Sequence, residues 1–124
     1  MDAEFRKRLE ENGTDVETVL KRFLGNEAMY IKFIKKFLDD KSYESVVDSI
    51  EKRDFEEVFK SAHSLKGVTA NLGIESVRSV AAQITDSVRN KQPEEIDAAQ
   101  LDVYRQQLEK AYTGFAKIVE ESGL

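Results

Sequence analysis

Apolar residues recur along the chain at intervals of three and four, and no stretch of four or more alternates as a half-buried strand would. The pattern predicts helices throughout. Phe5 and Leu9 stand four apart on a polar background and place a short helix over 2–11, ending near Asn12-Gly13. Thr14-Asp15-Val16-Glu17 has the form of a capping box, a hydroxyl followed three residues later by Glu. It opens a second short helix carrying Val16, Val19, Leu20 and Phe23, which Gly25 stops. Asn26 then caps a long helix to about Glu51, with Tyr30, Ile31, Ile34, Leu38 and Val46 near one face. Met29, Phe33 and Phe37 lie on its other side and need a cover, either the preceding short helix or a partner protein.

Asp54-Phe55-Glu56-Glu57 is a further capping pattern. Behind it come Phe55, Val58, Phe59, Ala62, Leu65, Thr69 and Leu72, which fill a helical arc about 140° wide, enough to face a core. Gly73 terminates that helix. Ile74, Val77, Val80, Ala81, Ile84 and Val88 mark the next, to about Asn90. After Lys91-Gln92, Pro93 fits the first turn of a last helix that runs to about Glu121. Its apolar positions are Ile96, Val103, Tyr104, Leu108, Ala111, Tyr112, Phe115 and Ile118, and the aromatic ones read as core. Gly114 inside it has no account in the sequence. Four long helices with short connections imply an all-α, antiparallel up-and-down four-helix bundle. The expected layout is one domain over 1–124, with flanking helices in 1–25 and the bundle in 26–121.

Composition narrows the chemistry. The 124 residues suit a single core, and a single proline with only six glycines favours helix. There is no cysteine, so disulfides, thiolate metal sites and cysteine nucleophiles are excluded. One histidine excludes a site of several imidazoles, and no Glu-x-x-His pair suggests a bundle metal centre. Asp39, Asp40 and Glu44 read as a solvated acidic face rather than a metal site. A formal charge of −5 argues against nucleic acid as a partner. No apolar run approaches a membrane span, and the N-terminus lacks the layout of a secretory signal, so a cytoplasmic protein is expected. Met1 fits a free-standing protein and equally an excised domain with an added start.

One constellation stands out, Ala62-His63-Ser64-Leu65-Lys66-Gly67. With Ala62 and Leu65 turned inward, His63 lies at the rim of the apolar arc and reaches solvent. Lys66 and Gly67, three and four residues on, are its neighbours on the helix surface. A glycine inside a helix costs about 1 kcal/mol relative to alanine, so something should offset it. Access is one reason: with no side chain at Gly67, and only Ala70 a turn further, a bulky group can approach the ring. A neutral imidazole is a nucleophile, and phosphoryl transfer needs in-line access and positive charge near the equatorial oxygens. Lys66 offers the charge and Gly67 the room. The plain alternatives are a solvated Lys66 and a Gly67 kept for helix packing.

This string, followed by Asn71-Leu72-Gly73 and preceded by Asp54 nine residues before the histidine, resembles the histidine-containing phosphotransfer (HPt) domain family. The resemblance covers roughly 26–121 in helix order and is most specific over 62–73. It implies that His63 accepts a phosphoryl group from a receiver-domain aspartate and passes it to another receiver. It also implies that Lys66 contacts that group and Gly67 leaves space for it. The acids and Mg²⁺ of the reaction then belong to the receiver, and this chain needs no cofactor. Some members steady the histidine with a glutamine on the next helix. Thr85 stands at that position here, with Gln83 two residues earlier, and Arg89 is a second candidate for the positive rim. No Gly-x-x-x-x-Gly-Lys loop is present, so a carrier without ATP-dependent autokinase activity is expected. Its partners would be a receiver domain and a hybrid sensor kinase, and it would be a monomer. The rival readings are a phosphorylation-independent interaction module that binds a receiver or kinase, and a hydrolase on a bundle. The second lacks a Gly-x-Ser-x-Gly nucleophile turn.

Overall fold

A computed structural model describes all 124 residues and contains only helices. In chain order they are α1 (Ala3–Glu11), α2 (Val16–Arg22), α3 (Glu27–Leu38), α4 (Ser42–Glu51), α5 (Phe55–Leu72), α6 (Glu75–Val88) and α7 (Ala98–Glu121). A single 3₁₀ turn, Pro93–Glu95, precedes α7. Helix α4 packs on α5 and α7, α5 on α6, and α6 on α7, which closes a four-helix bundle. The N-terminal helices lie outside it, α1 against α7 and α3 against α5. The core runs through the bundle and includes Val46, Ile50, Ala62, Leu65, Ile84, Leu101, Leu108 and Phe115.

The long helix expected over 26–51 is two helices. Asn26 caps α3 as expected, its side chain accepting from the Met29 amide at 3.0 Å. Helix α3 stops at Leu38, and the Asp40 carboxylate accepts from the Ser42 amide at 2.7 Å, an Asx turn that opens α4. The apolar phase explains the break. Tyr30, Ile34 and Phe37 are the buried residues of α3, and Val46 and Ile50 are buried in α4. At about 100° per residue an unbroken helix would set the second group roughly 160–200° from Tyr30, on the wrong side. Breaking at Asp39–Lys41 lets both groups face the core, and Phe37 joins Tyr30 and Ile34 rather than opposing them. Met29 and Phe33 stay half open, 44% and 40% exposed, although Phe23 packs on Phe33 with ring centroids 5.6 Å apart.

Two smaller expectations are also corrected. The cap of α2 is Asp15, which accepts from the Thr18 amide and hydroxyl at 3.2 and 2.8 Å. Thr14 is buried instead, and its hydroxyl donates to the Gly73 carbonyl at 2.6 Å. Pro93 opens the 3₁₀ turn rather than α7, whose first turn is capped by Asp97 accepting from the Gln100 amide at 3.0 Å.

The C-terminal end of α5 is where the two parts of the fold meet. Gly73 has φ +71° and forms a Schellman turn: the Ile74 amide donates to Thr69 O at 2.9 Å and the Gly73 amide to Ala70 O at 3.3 Å. A Cβ at Gly73 would stand 2.4 Å from Val19 Cγ2, so α2 can approach only a glycine. The remaining carbonyls are taken by the N-terminal helices. Arg22 donates to Ala70 O and Asn71 O, both at 2.9 Å, and Tyr30 Oη donates to Leu72 O at 2.9 Å. Every peptide oxygen that an α-helix leaves unpaired at this end therefore has a partner, and a cation sits at the negative pole of the helix dipole.

Candidate functional site

Helix α5 buries Val58, Ser61, Ala62, Leu65, Thr69 and Leu72 and turns the opposite strip to solvent. Asp54 starts it, accepting from the Glu57 amide at 3.3 Å. The exposed strip holds Glu56, Lys60, His63, Gly67 and Ala70, with Lys66 half-buried on its edge. His63 is thus presented on a helix fixed at both ends. Neither of its ring nitrogens has a hydrogen-bond partner in the protein. Lys60 is engaged by Glu56 at 3.4 Å, whereas no carboxylate lies within 4.0 Å of the Lys66 ammonium. That leaves Lys66 the uncommitted cation within a turn of the ring.

Gly67 separates the two readings of a helical glycine. A Cβ built there meets nothing within 4 Å, so no neighbouring helix requires the glycine for packing. It leaves open space one turn from His63.

The candidates on α6 are not brought to the ring. Thr85 is fully buried and its hydroxyl donates to Ala81 O at 2.7 Å. Gln83 is exposed and makes no hydrogen bond to His63. Arg89, at the end of α6, comes closer through an intermediary: its guanidinium lies 5.4 Å from the centroid of Phe59 and 3.7 Å from the Asp86 carboxylate. Phe59 in turn stacks on His63, with centroids 5.9 Å apart and planes 10° from parallel. The apolar pattern places Phe59 only in the core face. The signal for its second contact is its spacing, four residues before His63 on one helix.

A model of the Hpt domain family matches residues 4–114. The chain belongs to the Hpt domain family. No curated protein and no solved structure gives a significant match. Members of the Hpt family are histidine phosphotransfer carriers of phosphorelays, distinct from autokinases, and interact with receiver domains and kinases. No helix of this Hpt chain is long and apolar enough to cross a membrane.

On either side of the His63 strip the surface changes character. Towards α4 lies an open polar depression of about 350 Å³ between Lys41, Ser45, Lys60 and Ser64. Asp40 is committed there to the Ser42 amide, and Glu44 to Lys41 at 3.7 Å. Helix α3, which packs on α5, keeps Met29 and Phe33 half open, and Leu24 just before it is fully exposed.

Proposed function

We propose that this Hpt domain carries a phosphoryl group on His63, taking it from the aspartyl phosphate of one receiver domain and delivering it to the aspartate of another. The observation that carries the reading is an unpaired, solvent-facing imidazole beside a glycine whose missing side chain leaves only open space. In the forward step a ring nitrogen of neutral His63 directs its lone pair at phosphorus. The N–P bond forms as the acyl O–P bond breaks, and the bonding pair stays on the receiver's aspartate as carboxylate. The positive charge left on the ring is released as a proton from the other nitrogen to water, or is retained there. Delivery reverses these bonds. Transfer of this kind is mostly positioning and electrostatics, which suits a rigid helix that presents one nucleophile.

Lys66 faces the equatorial oxygens of the phosphoryl group, and Gly67 leaves room for them. The receiver contributes the acids and its Mg²⁺, so the chain itself needs no cofactor and works as a carrier rather than an ATP-dependent kinase. Met29 and Phe33 extend the docking face for the receiver beside the strip. The working form is a monomer, since the His63 strip is complete within one chain, and it acts in the cytoplasm beside its receiver.

The test is transfer from a receiver charged with labelled phosphate to this chain and to His63→Gln. Acid-labile, base-stable label on the wild type alone is expected, with unfolding free energies within about 0.5 kcal/mol, as for a surface substitution. Binding of the receiver with no transfer would replace this reading by that of an interaction module.

A further inference from the structure

No side chain of the next helix, α6, hydrogen-bonds the His63 ring. Thr85 commits its hydroxyl to Ala81 O inside the bundle, and Gln83 does not reach the ring. The ring that lies beside the imidazole is Phe59, on the same helix as His63 and one turn before it. The 5.9 Å centroid separation with nearly parallel planes is an offset stack, within the range where aromatic pairs attract.

Phe59 is itself held. It is half-buried against the core, and Phe55, Val88 and Pro93 share a depression with it. The Arg89 guanidinium lies over its ring, and Asp86 restrains Arg89. The chain Asp86–Arg89–Phe59–His63 therefore runs from the end of α6 to the nucleophile. A stack differs from a hydrogen bond in its chemistry: it fixes the plane of the imidazole and occupies neither nitrogen. One nitrogen is left to attack while the other exchanges its proton with water.

We propose that Phe59, braced by Arg89, is the positioning residue of His63, holding the ring plane for in-line attack by a stacking contact in place of a hydrogen bond. This rests on the phosphotransfer reading above.

The test uses the full chain with Phe59→Leu, Phe59→Tyr and Arg89→Ala. The Hδ2 and Hε1 resonances of His63 feel the ring current of Phe59. They should move towards free-imidazole positions in Phe59→Leu and stay near the wild type in Phe59→Tyr. In single-turnover transfer from a phosphorylated receiver, Phe59→Leu should lower the maximal rate about tenfold, with the half-saturating receiver concentration unchanged within about twofold, as loss of orientation predicts. Phe59→Tyr should restore the rate, and Arg89→Ala should lower it by a smaller factor. Phosphoramidate, a small donor that can approach the ring in any orientation, should phosphorylate all four proteins at similar rates.

Unchanged resonances in Phe59→Leu, or an unchanged maximal rate, overturn the proposal. So does a raised half-saturation at constant maximal rate, which would make Phe59 a docking residue. A wild type that takes phosphate from phosphoramidate but from no receiver overturns the phosphorelay reading instead, and the resonances then decide the stack alone.

Discussion

Helices α5 and α7 each carry a glycine in mid-helix on a solvent-facing position, Gly67 and Gly114, and a Cβ at either would meet nothing within 4 Å. Each also has lysine nearby: Lys66 directly precedes Gly67, and Lys110 and Lys117 lie one turn to either side of Gly114. Only Gly67 has an imidazole one turn away. Open space and a cation therefore do not make a site; a bare patch becomes one when it lies next to a nucleophile. Nothing in the structure explains Gly114. The two helices also end differently. The last carbonyls of α5 and its capping glycine are taken by Thr14, Arg22 and Tyr30 from the N-terminal segment, whereas α7 ends in its own turn at Ser122 and Gly123.

The largest effect should come from filling the two bare patches with a bulky side chain. Gly67→Leu places a branched group over the approach to His63, and transfer from a phosphorylated receiver should fall about 100-fold, the cost of an ångström-scale misplacement of reacting atoms. Gly114→Leu should leave the same rate unchanged. Equal effects from both substitutions would show that bundle stability, not access, limits transfer.

The difference in helix ends gives the next test. Tyr30 is fully buried, donates to Leu72 O, and burial pushes its phenol up from 10.0 to about 12. The folded state thus holds the proton more tightly than the unfolded one. Its contribution is complete below pH 10, where both states are neutral, and is lost as pH rises from 10 towards 12. The loss amounts to roughly 2–3 kcal/mol, since each tenfold difference in proton affinity is worth about 1.4 kcal/mol. Tyr30→Phe should be less stable than the wild type near neutral pH by about 1–3 kcal/mol, because it leaves a buried carbonyl unpaired. Urea melts should show that gap closing as the pH approaches 12. A gap independent of pH would remove Tyr30 as the group responsible.

Much of the molecule is legible in its sequence, for physical reasons that differ from place to place. The His63 strip is legible because helical spacing alone fixes which residues neighbour the ring. The Asn26, Asp54 and Gly73 caps are legible because each acts within one turn of its own position. The break at Asp39–Lys41 is harder to see, although Val46 and Ile50 fall out of phase with Tyr30 and Ile34. No glycine or proline marks that turn, and an Asx contact from Asp40 suffices. Thr14 lies beyond any local rule. Its partner, Gly73 O, is 59 residues away, and Asp15 supplies the cap that Thr14 leaves unmade. The Phe59 stack falls between these cases: the spacing permits it, but only the folded chain shows the ring nearly parallel to His63, with Arg89 over it.

The smallest effect is the most discriminating between the two glycines. Alanine at either position relieves the backbone entropy cost of glycine in a helix and meets no neighbour, so each substitution should stabilise the fold by about 0.5–1 kcal/mol. The gains should be equal and additive, since the helices are separate and share no partner at these positions. Function should divide them. A single methyl at Gly67 narrows the approach to His63 and should slow transfer measurably while raising stability, whereas Gly114→Ala should stabilise without any change in rate. Stability and transfer moving in opposite directions at Gly67, and only there, is the signature of a glycine kept for access. If Gly67→Ala instead lowers the unfolding free energy, the open space beside His63 is not what the glycine provides.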